Sequence, residues 1–448
     1  MLRLSIKQSL ARGLRAAGAG MLIWLAPVAA AHAVPAFAVQ TSQPCAACHV
    51  GAFGPQLKPF GRDFKLHGYV GNDGQDHGLP LAMTTRLAFT HTGAPQGGGA
   101  APGLRPNDNT TLETISLFYA GKITPNTGGF IETTFEGVAQ KQHLDNVDIR
   151  HTGTGEWLGH ELLWGVTANN GPTVTDPWNS TPVWGFPYNR SSIAPLPRGA
   201  TLIDGGLAQR AGGLGAYLLW DDLIYAEVDA YKGFDPRALS ALGQGEGFQT
   251  NNVIPYGRLA LLRDWERHHL EVGAYALTGS VLPGANQTFG LGTRVTDTAL
   301  DATYQLILDP GKVTSDMLSA HGTYIHEDGS IDPNAPAGLF GTLHHRLDTL
   351  RFDVSLSFAA TVTPTVQYFR TRGTTDPGFW STPNGSPNSE GMIFEVAYVP
   401  FGKPDTPFRT LNVRLALQYV DYFTFNGTSA DARDNNNLYL STSTALKF

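Results

Sequence analysis

From about residue 81 to the C-terminus, apolar and polar residues alternate in stretches of roughly ten. In Leu350–Phe358, residues Leu350, Phe352, Val354, Leu356 and Phe358 fall on one side, and Arg351, Asp353, Ser355 and Ser357 on the other. Leu411–Tyr419 sets Leu411, Val413, Leu415, Leu417 and Tyr419 against Asn412, Arg414, Ala416 and Gln418. In Leu223–Tyr231, Ile224, Ala226, Val228 and Ala230 oppose Tyr225, Glu227, Asp229 and Tyr231. A period of two places successive side chains on opposite faces of a β-strand.

Sixteen such segments are expected, near 81–91, 111–124, 127–139, 143–152, 159–169, 207–219, 222–233, 256–264, 267–278, 297–308, 312–327, 344–359, 361–372, 389–400, 409–423 and 437–448. Their connections have a parity. After even-numbered strands they are short, as in Pro125-Asn126, Gly153-Thr154-Gly155 and Asp309-Pro310-Gly311; after odd-numbered strands they are often long, as in 92–110, 170–206 and 234–255. Short turns at one end and long loops at the other describe an outer-membrane barrel. The expected fold is therefore mainly β: an antiparallel barrel of about 16 strands, ending on the aromatic Phe448. A soluble sandwich or solenoid would show the same alternation, but nothing in it calls for the loop parity. A barrel this wide encloses a lumen.

Residues 1–33 read as a signal peptide. Arg3, Lys7, Arg12 and Arg15 make a basic start, Met21-Leu22-Ile23-Trp24-Leu25 an apolar run, and Ala31-His32-Ala33 a cleavage site. The alternative, a transmembrane anchor, suffers from the short apolar run. No later segment approaches a 20-residue apolar run. The segment 1–33 contains four basic residues and no acidic one, so the remainder carries 27 basic against 38 acidic residues, a net charge of −11. Such a balance argues against nucleic acid as a partner and favours cations.

Both cysteines of the chain lie in Cys45-Ala46-Ala47-Cys48-His49. This spacing attaches a c-type haem: the two thiols add to the vinyl groups, and His49 supplies nitrogen to the iron. A zinc site would need further ligands at characteristic spacing, and a thioredoxin-like pair would need a βαβ setting; neither is present. The resulting division is 1–33 signal peptide, 34–79 monohaem cytochrome c domain, and 80–448 outer-membrane barrel. Residues 34–79 are too few for an ordinary core of their own. Lodged in the lumen as a plug, they would be sheltered, and a haem there would stand partway across a membrane about 30 Å thick.

Leu57, Phe60, Phe64 and His67 recur at helical spacing before Gly68, a residue suited to ending a helix. His67, His77 and Met83 are all candidates for the second axial position on iron. Glu132, Glu136, Glu227, Asp229 and Asp353 are expected to face the lumen, as an attraction for cations or as the ordinary polar lining of a porin. His268–His269 and His344–His345 are adjacent in strands, point to opposite faces, and are not expected to chelate one ion.

P-A-F-A-V-Q-T-S-Q-P-C-A-A-C-H, followed by P-Q-L-K-P-F-G-R-D-F-K-L-H-G-Y, resembles the N-terminus of the fused monohaem cytochrome–porins of iron-oxidising bacteria. The match is dense over 34–70 and beyond residue 91 rests on architecture alone. Ala38-Val39-Gln40-Thr41 stands where that family usually carries A-R-Q-T. The resemblance implies one covalently attached haem c on Cys45, Cys48 and His49, with His49 as metal ligand. It implies an outer-membrane protein with Fe(II):cytochrome c oxidoreductase activity. Electrons would come from extracellular Fe(II) and leave to a periplasmic soluble cytochrome or copper protein. A passive solute porin with a structural haem, and electron exchange with a donor other than iron, are the alternatives.

Overall fold

Strand β1 (Leu81–Thr92) pairs at one edge with β2 (Asn109–Thr124) and at the other with the last strand, β16 (Asn437–Lys447), so the sheet closes and has no free edge. The computed structural model describes residues 34–75, 77–245, 249–250, 252–282, 292–334, 340–406 and 410–448. The signal peptide expected at 1–33 lies outside them.

Between these ends the antiparallel strands follow one another in chain order. They are β3 (Thr127–Glu136), β4 (Lys141–Trp157), β5 (His160–Asn169), β6 (Ala211–Trp220) and β7 (Ile224–Gly233). Next come β8 (Ile254–Trp265), β9 (His268–Leu282), β10 (Thr293–Ile307) and β11 (Met317–Ile331). The circle is completed by β12 (His344–Ser357), β13 (Val362–Gly373), β14 (Ser389–Tyr398) and β15 (Leu411–Thr424). A two-residue extension, Gln249–Thr250, pairs with the end of β9. All sixteen expected strands are present.

Burial decides between a membrane barrel and a soluble sandwich, because here it is inverted. Along β15 the apolar Leu415, Leu417 and Tyr419 are 41%, 48% and 40% exposed, whereas Asn412, Arg414 and Gln418 are buried. Along β7, Val228 is exposed while Tyr225, Glu227, Asp229 and Tyr231 are buried. A soluble sheet hides its apolar face. Hydrocarbon requires the reverse, with every backbone group paired within a closed sheet. Several exposed aromatics lie toward the rims, Trp157, Trp265, Phe358 and Tyr398 at the short-turn end and Tyr419 and Phe423 toward the other. These are the positions that interfacial aromatics favour.

The lumen is filled from both ends. At the short-turn end sit three N-terminal helices: α1 (Pro35–Thr41), α2 (Cys45–Cys48) and α3 (Pro59–Leu66). Proline at the first turn starts α1 and α3. Gly68, at φ 71°, follows α3 in the left-handed conformation its sequence position suggests, and a Cβ there would meet Thr152 at 2.9 Å. From the opposite end the 170–210 connection folds inward onto these helices.

Two strand starts differ from expectation for that reason. β6 begins at Ala211 rather than near 207, because Leu207 belongs to the inward loop and is buried. β11 begins at Met317 rather than near 312, because 308–316 is drawn to the helices, where Lys58 Nζ donates to the Val313 carbonyl at 2.8 Å. The other long connection at this end, 399–410, also meets them: the Ala46 amide donates to the Gly402 carbonyl.

The apolar stripe expected on α3 is only half correct. Leu57 and Phe64 are buried, but Phe60 is 44% exposed and His67 is partly exposed. Arg62 and Lys65 point inward instead. A helix inside a polar lumen meets carboxylates and amides, so its cationic side is the one that finds partners.

Arg258 on β8 shows how closely the inward loop is tied to the wall. Its guanidinium lies 2.6 Å from Glu271, 2.8 Å from Asp301 and 3.8 Å from Asp176 of the loop, all deeply buried. Removing one partner of such a cluster strands the others without compensation. Arg258→Met is expected to destabilise the barrel by about 3–5 kcal/mol, read as a lower temperature for loss of the compact band on unheated gels.

Candidate cofactor site

Cys45 and Cys48 lie three residues apart on the single turn of α2, whose C-terminal residue is followed at once by His49. The His49 amide donates back to the Cys45 carbonyl at 2.9 Å, and the next chain segment returns alongside, pairing His49 with Leu57. The Lys58 amide donates to the Cys48 carbonyl at 2.8 Å. That carbonyl is also why residue 61 is glycine: a Cβ would approach it to 2.5 Å. The motif is therefore clamped against α3.

Cys48 and His49 border an apolar cavity. The N-terminal segment contributes Phe37, Leu57, Phe64 and Tyr69 to its walls, the barrel contributes Phe118 and Phe130, and the inward loop closes it with Asn179 and Trp184. Phe37 stacks on Tyr69 with ring centroids 5.3 Å apart, and Tyr69 donates to Asp148 at 2.7 Å.

His49 Nδ1 is buried without a well-formed hydrogen bond. The carbonyls of Gln56 and Gly54 lie close enough to favour its proton, but burial outweighs them and pushes the imidazole down to about 4. At neutral pH the ring is uncharged, the state in which a lone pair is free for a metal. Burial pushes the Cys48 and Cys45 thiols up to about 12 and about 11. Neither is a thiolate at neutral pH, which argues against a reactive thiolate pair. Among the described residues no group of three or more His, Cys, Asp or Glu is placed to hold a metal ion.

The fit to a covalent haem is good at Cys48, His49 and the cavity, and incomplete at Cys45. The Cys45 thiol faces a neighbouring hollow beside Gly402 and Asn412. Attachment through both thiols needs Cys45 to turn from that hollow toward the one Cys48 borders.

None of the three candidates for the second axial position borders this cavity. His67 Nδ1 pairs with Asp63, and His77 Nε2 with Asp73 at 2.8 Å. Met83 belongs to the outward-facing set of β1, between inward Ala82 and Thr84. The barrel itself disposes of Met83.

The inward loop was not foreseen as part of this site. Its Trp178 ring lies 3.5 Å from the Arg62 guanidinium, and its Val174 carbonyl and Asn179 Oδ1 accept from Lys65 Nζ at 2.7 and 2.6 Å. A signal existed in the sequence: 170–206 carries Trp178, Trp184, Phe186 and Tyr188, more aromatic surface than a solvated loop can leave exposed.

The carboxylates expected in the lumen are there, but they line no open path. Glu132, Glu227, Asp229 and Asp353 are each at most 5% exposed; Glu136 is partly buried. Asp353 pairs with His321 at 2.8 Å. Neighbouring carboxylates anchor the inward loop: Glu327 and Asp297 accept from the Leu202 and Ile203 amides, and Asp145 from Gln209. The paired histidines split as expected. His269 and His345 are buried, His269 paired with the exposed Asp264 and His345 with the buried Asp376, while His268 stacks on Trp265 and His344 is exposed.

Fold and outward face together define an outer-membrane β-barrel of sixteen strands whose lumen is occupied. Solved structures with a similar fold include an anion-selective porin from Comamonas acidovorans (11% identity, 82% of this chain and 98% of that one, TM-score 0.45). OprB of Pseudomonas putida is similar at 12% identity over 82% and 93% of the two chains, with a TM-score of 0.45. The DcaP channel of Acinetobacter baumannii matches at 12% identity over 82% and 96%, again at 0.45. No family model matches the chain, and no curated protein matches its sequence.

Proposed function

We propose that this barrel carries one covalently attached haem c in the cavity beside α2 and serves electron transfer across the outer membrane. Cys48 and Cys45 would hold it covalently and His49 would ligate the iron. The observation that carries this reading is the coincidence of a C-x-x-C-H turn with an apolar cavity inside a membrane-spanning lumen. When bound, a c-type haem supplies reversible one-electron chemistry at a potential set by its ligands and burial. The protein's own contribution is exclusion and position. Phe118, Phe130 and Trp184 keep water from the cavity, and Arg62 and Lys65 pin the helices to the inward loop.

The donor we propose is extracellular Fe(II), and the acceptor a periplasmic cytochrome or copper protein. The net acidic charge of the chain fits a cationic donor better than an anionic one. Purified protein mixed anaerobically with Fe(II) should shift its haem absorption bands to the reduced form. Bands that stay oxidised under excess Fe(II) would remove iron as donor.

A passive channel is the second reading, and one feature favours it. A larger cavity, about 1260 Å³, separates the inward loop from the wall of β12–β15 and includes Arg190, Arg351, Asp204 and Tyr422 in its lining. Liposome swelling with small sugars at a general porin's rate would support that reading.

A further inference from the structure

We infer that the iron position opposite His49 receives no imidazole or thioether donor from the described residues and is open to a small exogenous ligand, with Lys65 and Asn179 as polar groups of the same cavity. The inference rests on the proposed haem and goes beyond it. Among the described residues, His49 is the one histidine bordering the cavity, and no methionine borders it. His67 and His77 are committed to surface carboxylates, and Met83 faces outward from the barrel wall.

The polar side chains at the cavity are of another kind. Tyr69 donates to Asp148, and the Trp184 indole nitrogen donates to the Val174 carbonyl, so neither has its donor free. Asn179 Nδ2 donates to the Pro55 carbonyl at 2.9 Å while its Oδ1 accepts from Lys65, which fixes the amide in place. Protonated, Lys65 has three N–H groups, two of which go to Val174 and Asn179, with the Trp184 ring 4.9 Å from the nitrogen. Among the described residues, that third N–H and the second Nδ2–H of Asn179 are the donors left for an incoming ligand. A cation held in an apolar pocket favours anions over neutral ligands of similar size.

The test is optical and independent of iron oxidation. Intact purified protein, reduced, is titrated with carbon monoxide; oxidised and held at about pH 6, it is titrated with azide and with imidazole. Saturable shifts of the main haem band with carbon monoxide and azide are expected. A spectrum indifferent to all three ligands would show the position filled by a side chain and overturn the inference. Absence of any covalent haem would instead defeat the proposed function, so the two failures are distinct. Asn179→His should close the position and abolish the carbon monoxide shift; an undiminished shift counts against Asn179 being beside it. Lys65→Met should weaken azide about tenfold, the loss of one charge-assisted hydrogen bond, and leave carbon monoxide unchanged. Equal azide affinity in wild type and Lys65→Met would remove Lys65 from the proposal.

Discussion

Cys48→Ala is expected to strip the protein of covalently bound chromophore, so that haem staining on a denaturing gel disappears while the barrel still migrates as a compact species when unheated. Cys48 borders the cavity and Cys45 does not, so under the proposed function Cys48 would make the principal attachment. The thiol carries no structural hydrogen bond to another element, and the sixteen strands pair without it. Cys45→Ala should have the milder effect, because one thioether at Cys48 and the His49 nitrogen would remain. A chromophore that survives denaturation in the Cys48→Ala protein would sink the attachment assignment, and equal loss in both variants would show that Cys45 turns fully into the cavity.

Deleting residues 34–79, with the signal segment kept in front of Pro80, should turn a nearly closed barrel into a permeable one. The strands pair only with one another, so closure does not depend on the deleted segment. The inward loop, however, would lose Lys65 beneath Val174 and Asn179 and Arg62 against Trp178. A lumen of sixteen strands without its filling is an aqueous channel. Liposomes containing the deletion protein should swell in small sugars severalfold faster than those containing the intact chain. Equal rates would mean that the 170–210 loop alone closes the lumen.

Much of this could be read before any coordinate. Alternation in segments such as Leu411–Tyr419 specified strands and their faces, since a period of two leaves no choice of side. Loop parity then specified the two ends of the barrel. What went astray was local and had a tertiary cause. Phe60 sits at helical spacing with Leu57 and Phe64, yet it is exposed, because the surroundings of α3 are the polar interior of a barrel rather than an apolar core. Leu207 and the 312–316 stretch read as strand, and both were claimed by segments that fold into the lumen. Met83 was a plausible ligand on chemistry alone, until the register of β1 turned it outward.

By itself, then, the sequence determined the sixteen strands and their inside and outside, and it placed a C-x-x-C-H motif ahead of them, because each of these is written in residues close together in the chain. Only the tertiary structure decided that the motif sits in the short-turn mouth of the barrel and that Cys48 and His49 share an apolar cavity. It also decided that Asn179 and Trp184, more than a hundred residues away, complete that cavity. Such contacts depend on where a closed sheet carries a loop, and no local pattern records that.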